Sequence, residues 1–258
     1  MARWQSGVRW QVTPALATAW HLTLATLLTM TLTGSLGVWQ LFRAAQKRAL
    51  QDGIAAQGAL SAWSQRELLG SAHPADALHR PVNLTGHWVA GANVFLDNRP
   101  MSGRTGFVLL TPLRLSGSER VVLVQRGWVP RDFQDRNKLP EVSTPTEEVQ
   151  VQGRLAPPPS QLFELGAGSQ GAIRQNVDLP ALAKEWRVPL LEGVSVLQSG
   201  PLDTGLQRDW PRFVGDAHKH YGYAVQWFAM CTVAAALYLW FQILLPRSRR
   251  RTHGTDPR

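Results

Sequence analysis

Two long apolar runs, one near each end of the chain, bracket a stretch of quite different character. Pro14 to Val38 (PALATAWHLTLATLLTMTLTGSLGV) and Tyr221 to Leu245 (YGYAVQWFAMCTVAAALYLWFQILL) contain no Lys, Arg, Asp or Glu. Each supplies the roughly 20 residues that a helix needs to cross about 30 Å of hydrocarbon. The residues between them are rich in turn formers and charge. The expected organisation is a cytoplasmic tail (1–13), a first transmembrane helix (14–38), an external domain (39–220), a second transmembrane helix (221–245) and a basic cytoplasmic tail (246–258).

The formal net charge of +9 is unevenly spread. Arg3 and Arg9 give the first thirteen residues +2, and the tail from Pro246 carries +4, which leaves only +3 for everything between. Most of the excess is therefore juxtamembrane, where it attracts anionic lipid headgroups and sets topology. The basic residues form no surface of their own, so nucleic acid is not an expected partner. The RSRRR run after the second apolar stretch should stay cytoplasmic, and two spans return both termini to that side. Arg43, Lys47 and Arg48 argue the other way, but long loops translocate largely regardless of charge. The domain is thus expected to face the periplasm from the inner membrane.

The one cysteine, Cys231, falls inside the second apolar run and reads as a small packing residue. An external domain without cysteine has neither disulfides nor a thiolate metal site. Ser35 and Gly37 offer the small-residue spacing of a signal-peptidase site. The first apolar run is nevertheless longer than the roughly 7–15 residues of a signal-peptide core, which favours a retained anchor. Its small-residue side (Ala19, Thr23, Thr26, Thr33 and Gly34) is expected to pack on Ala234, Ala235 and Ala236 of the second.

Beyond Val38 the first helix should continue, because Leu41, Ala44, Ala45 and Leu50 keep helical spacing and no proline follows until Pro74. Gly53 and Gly58 weaken it, and SAHPADALHRP reads as a loop. From Pro81 the runs VNLTGHWV, ANVFLDN, GFVLLTPLRL, RVVLVQRGWV and VQVQGRL are β-branched and aromatic, separated by turn formers. LSGSE between the third and fourth is a hairpin turn. Short connections favour an antiparallel sheet, curled or closed to protect its edges. LAPPPS interrupts it, DLPALAKEW is a short helix with Asp178 as N-cap, and VSVLQSG is a last strand. The fold class is α+β: two transmembrane helices flanking a mainly antiparallel β domain with a few short helices.

No catalytic apparatus stands out, and the chain lacks a GxSxG elbow, a P-loop, an HExxH motif and a dinucleotide fingerprint. GAGSQG (166–171) follows no clear strand and reads as a plain loop. DNRPMSGRTG (Asp97 to Gly106) is either a structured turn with a capping acid or a recognition loop for an anionic group. In QRGWVP, Arg126 has the character of an internally paired arginine, and Trp128 of a core or interface residue. Trp4, Trp10, Trp39, Trp227 and Trp240 form an interfacial belt with some packing. His73, His79 and His87 are too scattered for a metal site. His21 lies within the first span, where a polar residue usually faces another helix. His218 and His220, in HKHYGYAVQWF, sit where the second span meets the outer face. A lone interfacial histidine more often snorkels than binds, yet a neutral imidazole beside an aromatic wall is what an axial haem ligand needs.

The blocks LGVWQLFRAAQKRAL, LDNRPMSGRTGFVLLTPL, VVLVQRGWVP, RQNVDL and HYGYAVQWF, in this order, resemble those of the surfeit locus protein family, assembly factors for haem-copper cytochrome oxidase. The resemblance runs from Leu36 to about Phe241 and implies two spans around an external domain. It also implies an assembly role without catalytic turnover, assisting haem a delivery or insertion into cytochrome c oxidase subunit I. Subunit I, the haem a supply machinery and membrane lipids would be the partners. The family's haem a-binding histidine at the start of the second span matches His220, with Tyr223 and Trp227 as pocket residues and His218 as the competing ligand. A scaffold that steadies nascent subunit I without binding haem is the alternative. The RGWVP block matches a segment of the family whose role reads as structural under either view. His21, roughly 25 Å below Val38 at about 1.5 Å per helical residue, is not expected to share the iron.

Overall fold

The computed structural model describes residues 14–132, 134–135, 138–163, 171–200, 205–210 and 217–244, with the side chains of 14–19 and of Ile243 left aside. Both tails and most of the Gly-rich run at 166–171 lie outside the described residues. The chain divides into two units: the segments up to Leu50 and from Gly215 onward form one, and Gln51–Val214 forms the other.

The first unit is helical. Helix α1 spans Pro14–Gly58, opened by its proline and carried through Gly53 without a break. The later helix, α4, spans Ala217–Tyr238 and runs on as a π-helical segment, Leu239–Leu244. Both contain stretches long and apolar enough to cross a membrane, within Trp20–Gly58 and Ala217–Gln242. The threonines show how polar side chains are accommodated there. The hydroxyls of Thr26, Thr29 and Thr33 donate to the carbonyls of Leu22, Ala25 and Thr29 at 2.8, 2.8 and 2.7 Å, so each is satisfied within its own helix.

One stripe of each helix is covered and the rest is open. On α1 the sheltered positions include Thr23, Thr26, Met30, Thr33, Gly37, Gln40 and Ala44; on α4 they include Ala217, His220, Ala224, Trp227, Cys231 and Tyr238. Steps of three and four residues make a coiled-coil-like seam. The Thr23 and Tyr238 hydroxyls lie 2.9 Å apart, and the Cys231 thiol approaches the Met30 carbonyl at 3.5 Å. Residue numbers fall on one helix as they rise on the other, so the two run antiparallel. Outward-facing Leu24, Leu28, Leu32, Val225, Val233 and Leu237 are half or more exposed, as a lipid-covered face requires. Of the small residues expected to pack, Thr23, Thr26 and Thr33 lie on the seam and Gly34, Ala234 and Ala235 are half-buried, whereas Ala236 faces outward and the side chain of Ala19 lies outside the described residues. Gly37 is closely faced by α4, for a Cβ there would sit 2.7 Å from the Phe228 ring.

The second unit is built on an eight-stranded sheet: β1 (Trp63–Ser64), β2 (Pro81–Trp88), β3 (Val94–Met101), β4 (Arg104–Leu115), β5 (Val121–Pro130), β6 (Val149–Ala156), β7 (Ile173–Arg174) and β8 (Ser195–Gln198). β3, β4 and β5 form an antiparallel meander whose turns place Ser102, Gly103 and Gly117 at positive φ. The twelve-residue β4 divides one edge between two partners: its first half pairs β3, and Leu113–Leu115 pair β2. With β2–β6, β6–β8 and β8–β5 also paired, five strands close into a ring. The expected mainly antiparallel, edge-protecting sheet is present, with parallel pairings at β1–β2, β3–β7 and β5–β8.

β2 alternates between buried and more exposed residues along its length, whereas β5 is buried continuously from Val121 to Trp128. One core packs Val82, Leu84, Leu113, Val124, Val151 and Val196; a second packs Leu96, Met101, Leu123 and Trp128 with Leu179 and Leu182 of helix α3 (Leu179–Trp186). Asp178 caps α3 as expected, its carboxylate accepting from Ala181 N at 3.1 Å. Two short helical features stand between α1 and β2, the second of them inside the loop expected at 71–81. Helix α2 (Gln65–Gly70) forms behind a capping box in which Ser64 N donates to Glu67 Oε2 at 2.7 Å, and Pro74–Ala77 is a 3-10 turn.

Candidate functional site

Helix α4 begins at Ala217, so both candidate histidines stand in its first turn. Two residues, about 200° around the helix, separate their environments: His218 is exposed, while His220 falls on the sheltered seam, half-buried. There its Nδ1 lies 2.7 Å from Oε1 of Gln40 on α1, a contact between residues 180 apart in sequence. With the amide in this orientation its oxygen can only accept, so Nδ1–H is the donor, and the neutral tautomer that makes this bond keeps its lone pair on Nε2. A second-sphere acceptor of this kind is what fixes a histidine's tautomer and raises its basicity as a metal ligand.

The other expected pocket residues divide. Trp227, seven residues on, shares the half-buried stripe with His220, about 10.5 Å further along the axis. Tyr223 lies off that stripe and is 50% exposed, as is much of Phe228 at 37%. Exposed aromatic rings therefore flank the seam that holds the imidazole, one on either side. Arg48 lies over the Tyr221 ring at 5.8 Å and Arg43 over Trp39 at 5.9 Å, so cations flank the same end of the helix pair. His21 is exposed near the opposite end of α1, its ring 4.2 Å from that of Trp20.

Gln40 was not singled out among the sequence candidates. Its signal was available: it follows Thr23, Thr26, Met30, Thr33 and Gly37 in alternating steps of three and four, and it lies within the LGVWQLF block.

In the β unit the described histidines remain apart, and no group of three potential metal ligands assembles among the described residues. Burial, helped by nearby Arg154, holds the His79 imidazole below its ordinary pKa, which disfavours charge there. The Asp97–Gly106 segment is a hairpin. Asp97 accepts from Asn98 N at 2.7 Å and pairs with Arg131 at 3.3 Å, the behaviour of a capping acid. Trp128 is core, its indole N–H donating to the Arg99 carbonyl at 2.7 Å. Arg126 is 2% exposed, bonded to Thr144 Oγ1 and the Ser143 carbonyl at 3.0 and 2.8 Å and lying 4.7 Å from the Trp88 ring centre.

Comparison with known proteins bears on the whole arrangement, since it spans both helices and the β unit between them. A SURF1-like protein of Rickettsia felis is 27% identical over 226 residues, 84% of this chain and 94% of the relative. One from Rickettsia conorii is 27% identical over 223 residues, 82% of this chain and 87% of the relative. The cytochrome oxidase assembly protein SHY1 of Saccharomyces cerevisiae is 32% identical over 118 residues, 44% of this chain and 30% of its own length. Residues 27–232, from within α1 to within α4, match the SURF1 family, and the chain belongs to that family.

Proposed function

We propose that this protein is a membrane-held assembly factor for a haem-copper cytochrome oxidase, and that His220 is an axial ligand through which it holds haem a for delivery to subunit I. Family membership and the name of the yeast relative support the assembly role. The observation that carries the ligand assignment is the 2.7 Å contact from Gln40 to His220 Nδ1, which leaves the Nε2 lone pair for iron. His218 has the same chemistry but is exposed, with no such orienting contact among the described residues. Haem a, as cargo, would bring an iron that accepts a nitrogen base and a flat apolar ring suited to exposed aromatic rings. The protein's part is to bind and orient, without turnover of its own.

The test is pigment. Protein purified from a haem a-producing strain should carry haem a absorbance, and His220→Ala should abolish it while remaining folded in the membrane; His218→Ala and His21→Ala should keep it. Loss with His218→Ala alone moves the ligand. Colourless wild-type protein that still supports oxidase assembly establishes the scaffold reading instead.

The second part of the proposal is topology: both termini cytoplasmic, the β unit periplasmic, the whole in the inner membrane. The RSRRR run beyond α4 motivates it. A phosphatase that is active only outside the cytoplasm should work when inserted near Ser160 and be silent when fused after Arg258. The reverse pattern overturns the orientation.

A further inference from the structure

Arg99 is the most unusual charge in the β unit. It is 8% exposed, and among the described residues no carboxylate lies within 4.0 Å of its guanidinium. The bulge in β3 between Leu96 and Arg99, with Asn98 at φ 64°, is what turns this side chain inward beside Met101. Two of its donors are used, Nη1 to Ser160 Oγ at 3.1 Å and Nη2 to the Gln175 carbonyl at 2.8 Å; its buried Nε–H has no acceptor. Desolvation lowers its pKa, but a guanidinium stays protonated, so among the described residues this buried cation has no counter-charge.

Arg99 also lines a cavity of about 360 Å³. Leu96, Met101, Val108, Trp128, Leu162 and Trp210 make its walls apolar. The other polar side chains there are Gln125, whose amide nitrogen is committed to Ser195 Oγ at 2.9 Å, and Ser160, which already accepts from Arg99. The volume lies in the range of small-molecule sites, and one convergent charged group in an apolar cleft is their usual make-up.

We propose that this cavity binds a small monocarboxylate with a compact apolar body, its carboxylate neutralising Arg99. A single cation calls for a single anionic charge, and a planar guanidinium with unused N–H donors matches a carboxylate's geometry. The walls call for the apolar body. This site lies in the β unit and does not depend on the haem assignment.

The probe is para-fluorophenylbutyrate, titrated against full-length protein in nanodiscs and read by fluorine NMR, with empty nanodiscs as background. The acid should bind saturably, and its primary amide about tenfold or more weakly, the scale of one charge-assisted hydrogen bond. Arg99→Gln should lose the acid to the same extent. Leu162→Trp should exclude it by filling the cavity, with Arg99 intact and the local backbone still held by Asn176. Should Arg99→Gln fail to fold, the acid–amide pair and Leu162→Trp decide. Absent wild-type binding, equal affinity for the amide, acetate binding as tightly as the probe, or unchanged binding in Leu162→Trp or in folded Arg99→Gln would each overturn the proposal.

Discussion

Gly106→Ala is expected to lower the melting temperature of the β unit sharply. Gly106 lies on β4 opposite Pro130, and the Trp128 ring crosses over it. An alanine Cβ would meet Val129 O at 2.2 Å and the Trp128 ring at 2.5 and 2.6 Å, all impossibly close. The carbonyl belongs to the paired strand and cannot swing aside. The indole is 1% exposed and anchored by its bond to the Arg99 carbonyl, so it cannot tilt freely either. Overpacking of a core costs about 1–3 kcal/mol and occasionally more; a clash this rigid belongs at the upper end, which for a unit of this size is a fall of roughly 6–12 °C. Trp128→Ala alone should cost about 3–5 kcal/mol through the cavity it leaves. The double variant should cost less than the two summed, because the ring half of the clash has gone while the Val129 half remains. A Gly106→Ala protein melting within two degrees or so of the wild type would show that the strands slide apart cheaply, and the close-approach account would fail.

That Gly106 matters was legible only as part of a turn-rich segment. DNRPMSGRTG announces a hairpin by composition, and the structure has one, but nothing in the string says that a tryptophan 22 positions on will lie across its last glycine. The same limit governs the sheet. The individual strands could be read because alternation in VNLTGHW and continuous apolarity in VVLV are local patterns. Closure of the ring depends on β4 dividing its edge between β3 and β2, a matter of register between distant segments. β1 and β7, two residues each, are too short to carry a period. The capping box of α2 stood in plain view as SQRE, but six residues offer little helical periodicity to go with it. Burial of Arg99 hangs on a bulge, and an extra residue in a strand inverts which side chains face inward.

Gln40→Leu is expected to weaken retention of haem a by about 10–100-fold, the usual effect of removing the partner that orients a metal-binding histidine. Leucine keeps the bulk of the seam position and removes the acceptor that Nδ1–H needs 2.7 Å away. The imidazole is then free to place its proton on either nitrogen and to rotate, so the Nε2 lone pair is no longer held in one direction. Gln40→Glu should act in the opposite sense. A carboxylate accepts the same bond more strongly, raises the basicity of Nε2, and should retain haem a while shifting its reduced-minus-oxidised spectrum and lowering its potential. The readouts are haem per protein after purification and the spectrum of what remains. Thr23→Val controls for loosened helix packing, since it removes the interhelical contact to Tyr238 far from the site and should leave haem content unchanged. The outcome separates two failures. If His220→Ala is colourless but Gln40→Leu retains full haem with an unaltered spectrum, the ligand is right and its orientation comes from elsewhere. If both variants keep their pigment, the 2.7 Å contact is a helix-packing bond and the ligand lies on another residue.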